Sequence, residues 1–204
     1  KVRFKMRKKK RPYKIDAKAR LGRTWEDYQR FLEAEDHGPL VEMDTIEGRK
    51  GGAVLLSLRW PATGLHLLFW RHANTAKSVQ TIFDQLYLTL GHERFLRVFG
   101  IIVTDNGSEF KNYQLLKWCN ENQVTFTRSR SYKKNDNCFV EQKNYSVVRH
   151  LVGYYRYEGE AAQVALQKLY DRWNLLVNYF YPSVKILEKE RKDAHTYKKY
   201  DSAK

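Results

Sequence analysis

Phe99-Gly100-Ile101-Ile102-Val103-Thr104-Asp105-Asn106-Gly107-Ser108-Glu109-Phe110 decides the reading of this chain. The short apolar run Val98–Thr104 has the composition of a central strand covered on both faces. It ends in an acid, Asp105, at the mouth of an Asn-Gly turn. Ser108 is suited to cap a helix over 108–120. Two further acids have comparable settings. Asp44 closes the run Val41-Glu42-Met43-Asp44, and Glu141 lies in Cys138-Phe139-Val140-Glu141-Gln142-Lys143-Asn144, with thirty-five residues between it and Asp105. Three carboxylates gathered in one place repel one another unless a cation neutralises them. Oxygen ligands of this kind suit Mg²⁺ or Mn²⁺. Two such ions roughly 3.5–4 Å apart activate an attacking oxygen and stabilise a leaving one in phosphodiester chemistry.

The order Asp44, Asp105, Glu141, the thirty-five-residue gap and the stretch Thr104-Asp105-Asn106-Gly107-Ser108-Glu109-Phe110 resemble retroviral integrases and bacterial insertion-sequence transposases. Val41-Glu42-Met43-Asp44-Thr45-Ile46-Glu47-Gly48 is similar to the first-aspartate segment of those transposases. The resemblance covers roughly residues 40 to 180. It implies an α/β, ribonuclease H-like fold: a five-stranded mixed sheet flanked by helices, with Asp44 and Asp105 on adjacent central strands. It also implies that Asp44, Asp105 and Glu141 are the catalytic residues and hold Mg²⁺ (with Mn²⁺ as a substitute), in all two ions. DNA element ends and target DNA are the implied partners, and the enzyme is expected to act as a homo-oligomer in a bacterial cytoplasm or nucleoid.

Composition agrees with a polyanionic partner. The formal net charge is +15, and residues 1–20 hold eleven Lys and Arg against one acid, Asp16, which is +10 of that total. A like-charged run of this kind stays extended until something neutralises it. DNA would do so with release of counterions and a steep salt dependence, although a solvated tail or a nuclear localisation signal has the same composition. Lys8, Lys9, Lys10 and Arg11 are the candidate DNA contacts in this arm. Hydrophobic residues make up 42% of the 204, enough for one ordinary core with appendages. Cys119 and Cys138 form no disulfide framework, and the six histidines have no zinc spacing with them. The most apolar stretch, Ala53 to Trp70, is broken by Arg59, Pro61 and Gly64, so no membrane helix is expected. The first residue is Lys rather than Met, which leaves room for a further N-terminal domain outside this sequence.

Four regions are expected: a basic arm and linker (1–22), a linking helix (23–38) started by the cap Thr24, the catalytic core (39–180) and a charged C-terminal tail (181–204). Within the core, strands are expected at 41–46, 53–59, 65–71, 98–104 and 124–128. Helices are expected at 75–90 and 108–120, through Glu141 to about Tyr157, and from Gly159 to about Tyr179 as a helical C-terminal extension. Residues 128–137 have no apolar period and read as a loop before Glu141. Arg130, Lys133 and Lys134 in that loop are candidate phosphate contacts or merely solvated charges. Asn106 and Gly107 read chiefly as turn builders, with a DNA contact from Asn106 the lesser alternative, and Glu109 as a surface acid in a helix's first turn ahead of an assisting metal ligand.

Related transposases carry a Lys or Arg seven residues after the glutamate. That position is Val148 here, and Arg149 lies one residue further, about 100° round an α-helix. Either Arg149 reaches round to DNA or another cation, such as Lys143, takes the role. No Ser or Tyr has a convincing nucleophile context, despite 14 tyrosines. The leading expectation is a DNA transposase or integrase that cleaves a strand and transfers its 3′-hydroxyl. The alternatives are a structure-selective nuclease of the same fold, separable by the lack of joined products, and a non-catalytic domesticated DNA-binding domain.

Overall fold

Alternation along β1 (Leu40–Glu47) divides its side chains between two faces. Val41 and Met43 enter one apolar cluster, and Ile46, on the same face as Glu42 and Asp44, enters the other. The computed structural model describes residues 24–34, 37–49, 51–105, 110, 113–129, 136–181, 186–192 and 195–201. Around β1 the sheet runs β3-β2-β1-β4-β5, with β2 at Val54–Arg59, β3 at His66–Arg71, β4 at Ile101–Thr104 and β5 at Thr125–Arg128. β1, β2 and β3 are an antiparallel meander; β4 joins β1 in parallel and β5 joins β4 in parallel. This is the mixed five-stranded sheet expected from the sequence.

The larger cluster lies under α2 (Ala76–Leu90), α3 (His92–Val98) and α4 (Tyr113–Glu121) and is dominated by rings: Trp60, Phe83, Phe95, Phe99 and Trp118. Helix α3 was not expected, and Val98, read as the start of a strand, is its last residue. Phe95 and Phe99 stand four residues apart, one turn on the same helix face, and their rings stack at 4.5 Å. That pairing keeps the chain helical up to Phe99 and delays β4 to Ile101. The expected start of α4 at Ser108 lies outside the described residues.

The second face carries α5 (Cys138–Lys143), a π-helical stretch (Asn144–Arg149), a short α6 (His150–Val152) and α7 (Gly159–Tyr179). The helix through Glu141 therefore ends at Val152, short of the expected Tyr157. Gly153 takes φ +68, a left-handed conformation open to glycine at little cost, and turns the chain away. The smaller cluster, with Ile46, Leu55, Leu68, Val147, Val148, Leu166 and Tyr170, seals this face.

Two asparagines of α7 finish the β3 edge. Asn178 accepts from the His66 N–H at 2.9 Å and donates to the His66 carbonyl at 2.7 Å. Asn174, one turn earlier, does the same with Leu68, at 2.9 Å each way. Outside the core, α1 (Trp25–Glu33) begins at the expected cap Thr24, which forms a capping box with Asp27. The stretch read as a charged tail contains a hairpin of β6 (Ile186–Lys192) and β7 (His195–Tyr200).

Gly100 decides how β1 and β4 meet. A Cβ there would stand 2.3 Å from Gly38 Cα, where the chain enters β1. The Gly100 and Ile101 N–H groups both donate to the Pro39 carbonyl at 3.0 Å. Gly100→Ala forces these two backbones apart. We expect a lower melting temperature together with faster amide exchange along β1 and β4; exchange at the wild-type rate in both strands refutes the role given to this contact.

Candidate functional site

Residue pairing brings the two aspartates to one level of the sheet. The β1–β4 ladder runs from Leu40↔Ile101 to Met43↔Thr104. Asp44 and Asp105 are each the next residue after that last rung. Glu141 lies in the first turn of α5 and is exposed. Asp44, Glu141, Asn144 and Arg149 line one open groove of about 380 Å³, together with Thr45, Ile46, Tyr145 and Tyr154.

Electrostatics tie the three acids together. The Asp44 carboxyl is pushed up to about 7, first by burial and then by the charge of Asp105, with a smaller push from Glu141. Two hydrogen bonds act in the opposite direction. The Thr45 N–H donates to Asp44 Oδ1 at 2.7 Å, and Asn144 Nδ2 donates to Oδ2 at 2.6 Å. Among the described residues no three His, Cys, Asp or Glu side chains are gathered closely enough to hold a metal ion as they stand. The donor set nevertheless fits a hard divalent cation. Its members are carboxylates, and the Asp44 carboxyl, raised first by burial, is raised further by the negative charge of Asp105 and Glu141 that such an ion would offset.

The π-helical stretch bears on Arg149. One extra residue per turn means that Arg149 takes up the angular lag it has in a regular helix. It therefore borders the groove that Glu141 lines, while Val148 is buried in the core. Its guanidinium donates to the Glu47 carbonyl at 2.9 Å and lies 4.4 Å from the Tyr154 ring centroid. Contacts to β1 at both ends of the stretch, Asn144 to Asp44 and Arg149 to Glu47, hold the widened turn open. Lys143 is elsewhere. It is partly buried and does not line the groove, and its ammonium is disfavoured by burial and by Arg59. Lys8, Lys9, Lys10, Arg11, Arg130, Lys133 and Lys134 lie outside the described residues.

Beneath α5 a row of buried polar residues crosses the sheet: Glu42, Arg59 and His66 stand opposite one another on β1, β2 and β3. Ser57 Oγ lies 2.8 Å from His66 Nε2. Burial, followed by the charges of Arg59 and Lys143, pushes the His66 imidazole down to about 3 from its ordinary 6.5. Below pH 6.5 the unfolded chain therefore gains a proton that the folded protein refuses, and stability drops as pH falls towards 3. We expect urea unfolding to show a smaller acid loss in His66→Gln than in wild type; equal losses would contradict a neutral buried imidazole.

The sequence reading missed Glu42, Asn137 and Asn144. Glu42 had a visible signal, since an acid inside an apolar strand needs a buried partner. The asparagines had none, because nothing local marks a side chain that bonds a strand about a hundred positions away.

No family model matches the chain. The uncharacterized protein y4rM of Sinorhizobium fredii is 48% identical over 96 residues, which are 47% of this chain and 27% of that protein. The chain thus spans about a quarter of that relative. The catalytic core domain of BIV integrase superposes with a TM-score of 0.52 at 18% identity, over 72% of this chain and 87% of that one. The HTLV-2 integrase catalytic core domain, solved with magnesium in a dimeric form, superposes with a TM-score of 0.50 at 15% identity, over 73% and 90%. At such identities the likeness concerns the fold. This chain has the ribonuclease H-like fold of retroviral integrase catalytic cores.

Proposed function

We propose that the protein is a metal-dependent DNA transposase or integrase. On this reading it cleaves a DNA strand to free a 3′-hydroxyl and then joins that hydroxyl to a target strand. The reading is supported above all by the placement of Asp44 and Asp105, each one residue beyond the last rung of the β1–β4 ladder, with Glu141 on the same groove as Asp44. These three side chains are the proposed ligands of Mg²⁺ or Mn²⁺. When bound, a pair of such ions would supply Lewis acidity for the attacking and leaving oxygens.

The chain's own contributions are positional. Asp44 on β1 and Asp105, the residue that follows β4, are placed by the sheet, and Asp44 is further held by the Thr45 amide and Asn144. Glu141 approaches from a helix. Arg149 offers a fixed positive charge beside the groove, and we assign it, rather than Lys143, to a DNA phosphate. The arm residues Lys8, Lys9, Lys10 and Arg11 and the loop residues Arg130, Lys133 and Lys134 are the proposed further backbone contacts. By analogy with the dimeric HTLV-2 core, we propose that two or more copies act together on paired DNA ends.

The test incubates the protein with supercoiled plasmid and short duplexes, with Mn²⁺ or with chelator. Metal-dependent joined products establish the reading. Nicking without joining replaces it with a nuclease, and binding without either product replaces it with a non-catalytic domain.

A further inference from the structure

The segment that carries Glu141 begins without a cap of its own. Asn137 occupies the N-cap position of α5 but makes no side-chain capping bond to that helix. Its amide is turned the other way and donates to the Met43 carbonyl on β1 at 3.3 Å. Helices leave their first four N–H groups without partners inside the helix, so a different acceptor is needed. Glu42 supplies it. Its carboxylate Oε2 accepts from the Val140 N–H at 2.7 Å, across 98 sequence positions. Glu42 is 4% exposed and Val140 is fully buried, so water does not compete for this bond.

The two ends of the contact are informative. Glu42 lies two residues before Asp44 on the same face of β1, and Val140 lies immediately before Glu141. Asn137 bonds to Met43 on one side, and Asn144 bonds to Asp44 on the other. Three consecutive residues of β1 thus grip the helix just before, beside and just after Glu141. An acid at a helix N-terminus is also favoured by the partial positive charge there. Arg59, paired opposite Glu42 on β2, adds a cation to the same buried row.

We propose that Glu42 is a positioning residue: by replacing the missing cap of α5 it fixes where Glu141 stands relative to Asp44. The proposal rests on the reading of Glu141 as a metal ligand, but the clip itself is measured separately. Reach, not charge alone, is what it requires. Glu42→Gln keeps an oxygen at the same distance from Val140. Glu42→Asp keeps the charge and falls short by one methylene.

Two readouts serve on the full chain. Amide hydrogen exchange over residues 138–143 reports the clip without any metal. The Mn²⁺ concentration for half-maximal binding, measured by calorimetry, reports its consequence. In Glu42→Asp we expect exchange at 138–143 to rise about tenfold or more, as the loss of a buried hydrogen bond requires. The Mn²⁺ requirement should rise by roughly tenfold, as for other residues that orient a ligand. Glu42→Gln should stay near wild type in both. Wild-type values in Glu42→Asp, or equal damage in both variants, overturn the proposal. If Asp105→Asn binds Mn²⁺ as well as wild type does, the metal-site reading fails, while the exchange data still decide the clip.

Discussion

Asp105→Asn is expected to lose metal-dependent strand cleavage and joining by about three orders of magnitude or more, while duplex binding holds or improves. The size follows from what the carboxylate supplies. Stabilising the charge of a phosphodiester transition state through a metal is worth several kcal/mol, and each 1.36 kcal/mol is about tenfold in rate. Binding is spared for an electrostatic reason. Asp105 is one of the negative charges that push the Asp44 carboxyl up, and the same negative charge repels an incoming phosphate backbone. An asparagine retains the shape and removes that repulsion. The fold is spared too, since Asp105 follows the last β1–β4 rung instead of forming one. Nicked and joined products on a gel, beside a binding isotherm, decide the matter. Residual cleavage at the wild-type rate would remove Asp105 from the chemistry.

Phe99→Ala is expected to fail differently, by unfolding. Phe99 is 1% exposed and packs against three rings, Phe95 at 4.5 Å, Trp60 at 5.3 Å and Phe83 at 5.6 Å. Truncating such a side chain costs about 3–5 kcal/mol, part for lost burial and part for the cavity. A domain of this kind has roughly 5–15 kcal/mol in total, so a large share of stability goes. Denaturant unfolding measures the loss, and a value below about 1.5 kcal/mol would mean that the neighbouring rings close the gap. The pair of variants separates two causes of inactivity. One leaves a folded protein without chemistry; the other leaves too little folded protein.

The sequence was most informative where a feature is local. The strands of the meander, the cap of α1, and the long α7 follow from apolar period and end signals. The parallel pairing that brings Asp44 level with Asp105 does not. It came from resemblance, because nothing in two separate apolar runs says that they will be neighbours. The Arg149 discrepancy has a clear physical source. Counting residues at 100° each assumes a regular helix, and the π-helical stretch breaks that assumption through contacts with β1 that no local pattern encodes. Helix α3 was hidden for a related reason. Val98 and Phe99 suit a strand equally well, and the stacking of Phe95 on Phe99 decides between them. Glu42 was legible as an anomaly, but its partner, a backbone amide 98 positions away, was not.

Asn174 and Asn178 have a consequence for assembly. Each presents one acceptor and one donor to a residue of β3, which is what a neighbouring strand would present. Together they act as a two-residue strand surrogate carried on a helix. A bare sheet edge is a template on which another chain can add a strand, in an ordered partnership or in an aggregate. At His66 and Leu68 that template is already filled from within the molecule, so another chain cannot add a strand there without displacing α7.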